Sequence, residues 1–319
     1  MRCLYVGVFS PHCSDVFRLK GMHEAGMEVR ALDFRQIWSQ RAAQGLVNDI
    51  VHCSITFDPH FILINKGERF TAEILKEIKK SVQAPIFLFY GDKRESWPSF
   101  LFGVLRHYDA FLINSDDENE KATLEQYKPQ RVLYHHSATD TEIFKKNEEV
   151  KEDVDVAFFG SNYNVIFPES KKRRDWMLRL ALEPDISVRL YGHGWDGSAY
   201  PVTFGADYAA AASRAKMLIG FNAFDNIRLY TSNRCFNSMA CGTFLSTKWK
   251  GCETMFEGGK ELEWFTSYRE MVSKVRKLKS NKRLRQRIYK AGRKRLEKDH
   301  TYTVRARELE QIYNQIRPR

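Results

Sequence analysis

Residues 232–242, SNRCFNSMACG, bring together an arginine, two residue types that begin helices, and a run of small side chains. Phe236, Met239 and Ala240 recur at helical spacing, which predicts a helix. Ser232 and Asn233 can accept hydrogen bonds from the first unpaired N–H groups of that helix. Gly242 predicts its end, and Phe244 and Leu245 a strand after it. A helix N-terminus carries partial positive charge, and Arg234 adds a full one, so the natural guest is a phosphate group. The plain alternative is an ordinary helix of an α/β sheet with a surface arginine.

Two more loops follow predicted strands and fall on the same sheet edge. In DVAFFGSNY, Gly160, Ser161 and Asn162 permit close backbone approach, with the basic residues 171–174 just behind. In LYGHGW, Gly192 and Gly194 flank His193, and Trp195 has a ring that can stack on a base. The third loop, NAFDNIRLYTSNR, supplies Asn222, Arg228, Tyr230, Thr231 and Arg234. Glycines after strands are common turn residues, so each loop alone says little. Together they describe a nucleotide-diphosphate pocket. No G-x-G-x-x-G or G-x-x-x-x-G-K-[ST] motif is present, which argues against dinucleotide binding and P-loop ATP hydrolysis.

For acid–base chemistry the first half offers His12 and Asp15 in SPHCSD, and Asp92 beside Gly91 after a predicted strand. Asp92 is placed to accept or orient a hydroxyl proton, or else to cap a turn. His135 and His136 read as linker residues, and His300 and Arg305 as structural ties for the last helix. The six cysteines show no C-x-x-C pair or zinc spacing, so no metal site is expected, and they read as reduced core residues.

These residues need a scaffold that brings loops to one edge. A chain of 319 residues suits two domains of about 150 residues each. Short apolar runs at 3–9, 28–33, 61–65, 86–90, 110–114 and 132–134 alternate with helical patterns at 16–25, 71–82 and 118–127. After a polar, acidic stretch at 137–153, the pattern restarts, with strands at 154–159, 188–191, 217–221 and 243–246 and helices between. From Ser267 on, the chain reads as helical. Such alternation predicts parallel sheets with helices on both faces. The expectation is an α/β chain of two doubly wound, Rossmann-like domains, residues 1–145 and 146–319, facing each other across a ligand cleft. The longest apolar runs are too short for a membrane span, and the N-terminus enters a strand directly, so a cytoplasmic protein is expected.

The net charge of +11 is not spread evenly. Residues 269–319 hold 18 Lys/Arg against five Asp/Glu, while the rest of the chain is close to neutral. A solvated helix face is one reading. The other is an electrostatic footprint for nucleic acid or an anionic membrane surface.

From Asp155 to Tyr313 the chain resembles the C-terminal half of CgeB-type glycosyltransferases, relatives of the family-4 nucleotide-sugar transferases with the GT-B fold. The landmarks are DVAFFGSNY, LYGHGW, SNRCFNSMACGTFLST, FEGGKELEWF and AGRKRLEKDHTYTVRARELEQIY, in that order. The first half is similar more loosely, through SPH, FLFYGDKRESW and HHSATDTEIF. The resemblance implies transfer of a sugar from a nucleotide-sugar, such as UDP- or GDP-sugar, to an acceptor hydroxyl. No tightly bound cofactor is implied, and no metal where protein cations and helix N-termini stabilise the departing diphosphate. It places the donor at Gly160, Ser161, Asn162, His193, Trp195, Asn222, Tyr230, Thr231, Ser232, Asn233, Arg234 and Asn237. Asp92, His12 and Asp15 remain for catalysis. Family-4 enzymes often carry two glutamates with seven residues between them, the second holding the ribose hydroxyls. Leu229 and Asn237 stand at those positions here. With the basic C-terminus, the acceptor is expected to be nucleic acid with a hydroxylated base, another anionic polymer, or a surface glycan. A non-catalytic module of the same fold and a nucleotide-sugar epimerase are the competing readings.

Overall fold

The computed structural model describes residues 1–11, 13–93, 95–162, 167–195 and 199–316. The chain forms two compact units, Met1–Ser137 with Tyr302–Arg319, and Ala138–Thr301.

In unit 1 the order is β1 (Arg2–Gly7), α1 (Ser14–Glu24), β2 (Glu28–Asp33), α2 (Phe34–Phe57), β3 (Phe61–Asn65), α3 (Ala72–Ser81), β4 (Ile86–Tyr90), β5 (Ala110–Ile113), α4 (Glu118–Glu125) and β6 (Val132–Tyr134). Its sheet is wholly parallel, in the order β2-β1-β3-β4-β5-β6. FILIN and IFLFY, the sequences of β3 and β4, are buried at every position, as expected of strands covered on both faces. Alternate residues separate onto the two faces. Leu4, Val6, Ile62, Ile64, Ile86 and Leu88 pack with Phe34, Ile50 and Leu75 of α2 and α3. Cys3, Tyr5, Phe61, Leu63, Phe87 and Phe89 pack on the other side with Met22 of α1. The 24-residue α2, to which no periodicity above points, begins at an Asp33 cap whose carboxylate accepts from Arg35 and Gln36 N–H. It kinks at Ala42, where φ is 51°.

Unit 2 contains β7 (Val154–Phe159), α5 (Ser170–Ala181), β8 (Val188–Tyr191), α6 (Gly205–Ser213), β9 (Ala215–Gly220), α7 (Asn233–Cys241), β10 (Phe244–Thr247), α8 (Cys252–Met255), β11 (Glu263–Phe265), α9 (Tyr268–Ser280) and α10 (Lys282–Asp299). The parallel sheet runs β11-β10-β9-β7-β8. Its order reverses between β7 and β9, the switch point at which open α/β sheets bind ligands beyond the strand C-termini.

The expected boundary at 145/146 does not hold in either respect. The last helix, α11 (Tyr302–Ile316), belongs to unit 1, where its Ala306, Leu309 and Ile312 bury against the sheet beside α1. Gly21 of α1 makes that approach possible, since a Cβ there would lie 2.5 Å from the Tyr302 backbone. Residues 138–153, expected as a linker, are part of unit 2: Thr139 N–H donates to His300 O at 3.1 Å, Arg293 Nη2 to Thr141 O at 2.8 Å, and Arg285 pairs with Glu152 at 2.8 Å.

Candidate functional site

The three predicted loops of unit 2 follow β7, β8 and β9, and the first two close on each other backbone to backbone. Gly160 N–H donates to Tyr191 O at 2.8 Å and Asn162 N–H to His193 O at 2.7 Å. In return, His193 N–H donates to Ser161 Oγ at 3.1 Å, and the Asn162 amide to Gly194 O at 2.9 Å. Glycine is required where they meet. A Cβ on Gly192 would fall 2.6 Å from the Gly160 carbonyl carbon, and one on Gly194, at φ +78°, 2.4 Å from Asn162 O. Arg173, near the start of α5, donates to Ser161 O at 2.8 Å and braces the loop from behind. His193 stays exposed at the tip.

Trp195 takes a different place from the expected base-stacking ring. It is buried, packs edge-on to Phe158 with centroids 5.6 Å apart, and its indole N–H donates to Gly160 O at 2.8 Å. An apolar ring adjoining a core strand gains more by burial than by waiting for a ligand, so Trp195 holds the Gly160 loop in shape.

The third loop is held by Asn222, which is buried. Its amide donates to Phe224 O at 2.9 Å and Tyr230 O at 2.7 Å, folding the loop back on itself. Tyr230 and Thr231 are buried too, Tyr230 against Phe224 at 5.3 Å. These three residues shape the approach to α7. At Ser232 the backbone is extended, as an N-cap requires, but the side chain makes no cap bond, contrary to the expectation. Asn233 and Arg234 are half-buried at the first turn. Arg234 reaches across to the β7 loop: a Cβ on Gly160 would lie 2.7 Å from its Nη1. The predicted phosphate-binding elements, a helix N-terminus, an arginine and a glycine that makes room for it, therefore stand together at the switch point. The helix ends at Gly242 as predicted, but in extended backbone, with φ 174°.

Leu229 and Asn237 carry their departures into the structure. Leu229 is buried in left-handed backbone, φ +60°, with its N–H on Lys250 O at 2.8 Å. Asn237 Oδ1 accepts from Thr139 Oγ1 at 2.7 Å, and so links α7 to the start of unit 2.

Unit 1 separates the three catalytic candidates. His12 lies outside the described residues. Asp15 is 1% exposed. Its carboxylate accepts from Tyr5 OH at 2.7 Å, Val8 N–H at 2.8 Å and the Asn65 amide. With all these donors in place it fixes the turn between β1 and α1, and an acid–base role is not open to it. Burial, and then the Asp15 charge, push the Tyr5 hydroxyl well above its ordinary pKa. Asp92 is the accessible carboxylate, 59% exposed and 2.8 Å from Lys66 Nζ. Asp92 and Lys66 lie on a cavity of about 700 Å³, to which Arg35, Glu68 and Trp97 also contribute. Those three were not singled out from sequence. Arg35 and Glu68 are 33 residues apart and meet only through the fold, whereas Trp97 does fall within the quoted FLFYGDKRESW.

Residues 172–311 match the family model described as glycosyl transferase-like. No curated protein matches the chain. Among solved structures, a sucrose-phosphate synthase from Thermosynechococcus elongatus is similar, with 10% identity, a TM-score of 0.68, and coverage of 99% of this chain and 98% of that one. HepE from Anabaena, solved in complex with UDP and glucose, matches with 10% identity, a TM-score of 0.65, and coverage of 99% and 100%. A glycosyltransferase from Rickettsia africae matches with 10% identity, a TM-score of 0.62, and coverage of 99% and 98%. Among the described residues, no helix is long and apolar enough to cross a membrane. With its two parallel-sheet, Rossmann-like units the chain has the GT-B fold, and the stretch that matches the glycosyl transferase-like model runs from α5 of the second unit into α11 of the first.

Proposed function

We propose that the protein transfers a sugar from a UDP-sugar to an acceptor hydroxyl. The observation that carries this is the pairing of Arg234, at the N-terminus of α7, with the bare backbone of Gly160 at the switch point of the second sheet. Both would engage the diphosphate: the guanidinium as a charged fork and the helix N-terminus through its N–H groups. The bond between the anomeric carbon and the distal phosphate oxygen breaks, a bond from the acceptor oxygen forms, and the negative charge that develops on the diphosphate falls on these groups. The hydroxyl proton leaves to a base, for which exposed Asp92 is the candidate. Support for uridine comes from HepE, solved with UDP and with UDP-glucose. The five ordered landmarks support a CgeB-type enzyme within this class.

UDP that binds the folded state should raise the melting temperature, by about 2.7 kcal/mol of stability at 100-fold over Kd. Arg234→Ala should lose that rise while melting as the wild type does without ligand. A normal UDP shift in the variant removes Arg234 from the site. The buried Leu229 and the engaged Asn237 favour a second reading, a binding module without turnover. UDP stabilisation without transfer or hydrolysis across a panel of UDP-sugars would select it.

A further inference from the structure

One side of α10 is not explained by folding. Arg283, Arg287, Lys290, Lys294 and Lys298 are all exposed and have no ion pair among the described residues. At roughly 100° of turn per residue the five fall within a sector of about 80°, and no other residue of the helix lies in it. The opposite side is buried within unit 2 through Arg285, Ile288, Gly292 and Leu296. Gly292 lets the helix come close there, since a Cβ would lie 2.3 Å from Glu261 O and 3.4 Å from the Met239 side chain of α7. At 1.5 Å per residue the outer row is about 22 Å long, the length of about seven base pairs of duplex nucleic acid.

This row works against the helix that carries it. A solvated helix face gains from carboxylates set three or four residues from cations, whereas neighbours along this row repel. The carboxylates of the helix are used elsewhere, Glu297 on Arg293 at 2.8 Å and Asp299 on Arg295 at 3.1 Å. Position adds to the repulsion. The first turn of α10 holds no acidic residue and begins with Lys282 and Arg283, against the partial positive charge of a helix N-terminus. In the same place α3 carries Glu73, α4 carries Glu118 and Glu120, and α9 carries Glu270. A polyanion laid along the row relieves both conflicts, because it screens the cations and brings negative charge to the N-terminal end.

Composition indicates which polyanion. A helix that settles into a membrane surface needs an exposed apolar face beside its cations, and a protein interface needs an apolar centre. The large exposed apolar side chains are Ile55, Leu182, Tyr200 and Phe204, none of them on α10. Nucleic-acid interfaces are polar and strongly positive, and their phosphate contacts need no apolar partner. We infer that the outer face of α10 docks a nucleic-acid backbone, through its phosphates and without reading bases. This goes beyond the proposed sugar transfer and does not rest on it.

The test uses the full chain and fluorescence anisotropy of a labelled, unmodified DNA duplex of about 20 base pairs in about 50 mM salt. Vesicles of equal parts phosphatidylcholine and phosphatidylserine, and polyglutamate, are titrated in parallel as the membrane and the acidic-peptide probe. The duplex should bind, and more tightly per unit charge than either of the others. Replacing Arg283, Arg287, Lys290, Lys294 and Lys298 together with glutamine should weaken that binding roughly 100-fold or more. Replacing Lys290, Lys294 and Lys298 with arginine should preserve it, since the charge row is kept. Three results would each overturn the assignment: no binding of the duplex at low salt, undiminished binding by the glutamine variant, or tighter binding per charge of the vesicles or of polyglutamate. The UDP melting shift, measured on the same samples, reports separately on the transfer reading.

Discussion

A methyl group at Gly194 would have nowhere to go. The backbone is left-handed at φ +78°, and the added carbon would lie 2.4 Å from Asn162 O, a main-chain atom that cannot swing aside. Gly194→Ala should therefore destabilise the protein by about 2 kcal/mol or more, lowering the melting temperature by several degrees. It should also weaken UDP stabilisation, because the 160–162 loop it displaces is the one Arg234 packs on. An unchanged melt would show that the two loops are not held together as described. Gly160 was legible as a place of close backbone approach, and Gly192 and Gly194 only as the glycines flanking His193; sequence does not say what approaches them. At 192 and 194 it is a neighbouring loop, and at 160 the arginine. Asp15 and Trp195 were legible as chemically capable residue types. Their burial depends on Tyr5, Asn65 and Phe158, which reach them through the fold. Asp92 differs from them in being 59% exposed, with Lys66 beside it.

Among the elements, α11 departs furthest from expectation. The chain from Ser267 on reads as helical, but sequence does not assign its last helix to a unit; the packing of Ala306, Leu309 and Ile312 beside α1 and on the first sheet decides it. That packing encloses a titrating group. His135 is fully buried between Arg18, whose Nη1 is 3.2 Å from Nε2, and Glu308 of α11, 3.4 Å from Nδ1. A guanidinium only donates, so Nε2 accepts and the ring proton sits on Nδ1, toward Glu308. Burial first, and then the Arg18 charge, push His135 down from 6.5 to about 4, against the pull of Glu308. The unfolded chain thus binds the extra proton between these values. The contribution of neutral His135 is fully present above about pH 6.5 and is lost as the pH falls toward 4, by up to about 3 kcal/mol. Urea midpoints measured from pH 4 to 7 should fall with acid in the wild type and less steeply in His135→Gln. Parallel curves would remove His135 as the source.

The charge of +11 is a property of the whole chain, and the structure divides it into two populations. One is consumed internally: Arg276 pairs with Glu183 and Asp185, Lys279 with Asp155, and Arg285 with Glu152, while Arg293 and Arg295 bind backbone carbonyls. Asp155 shows how firmly. Burial works to raise its pKa, but hydrogen bonds from Lys216, the Ser187 backbone and Lys279 outweigh it and hold the carboxyl at about 2. The second population is a row on α10, Arg283, Arg287, Lys290, Lys294 and Lys298, all exposed and with no ion pair among the described residues. Their spacing of three or four residues puts them on one stripe, opposite buried Arg285, Ile288, Gly292 and Leu296. The excess of basic residues was legible from composition. Its division was not, because the inward and outward arginines alternate along one helix and differ only in what the fold sets beside them. The two populations predict different losses. Replacing the five stripe residues with glutamine should leave the melting temperature within about 2 °C, since surface changes without partners cost little. The same change should abolish low-salt binding to duplex DNA used as a polyanion probe. In the wild type, that binding should fall with salt at a log–log slope no steeper than about −4.5, the limit for five phosphate contacts.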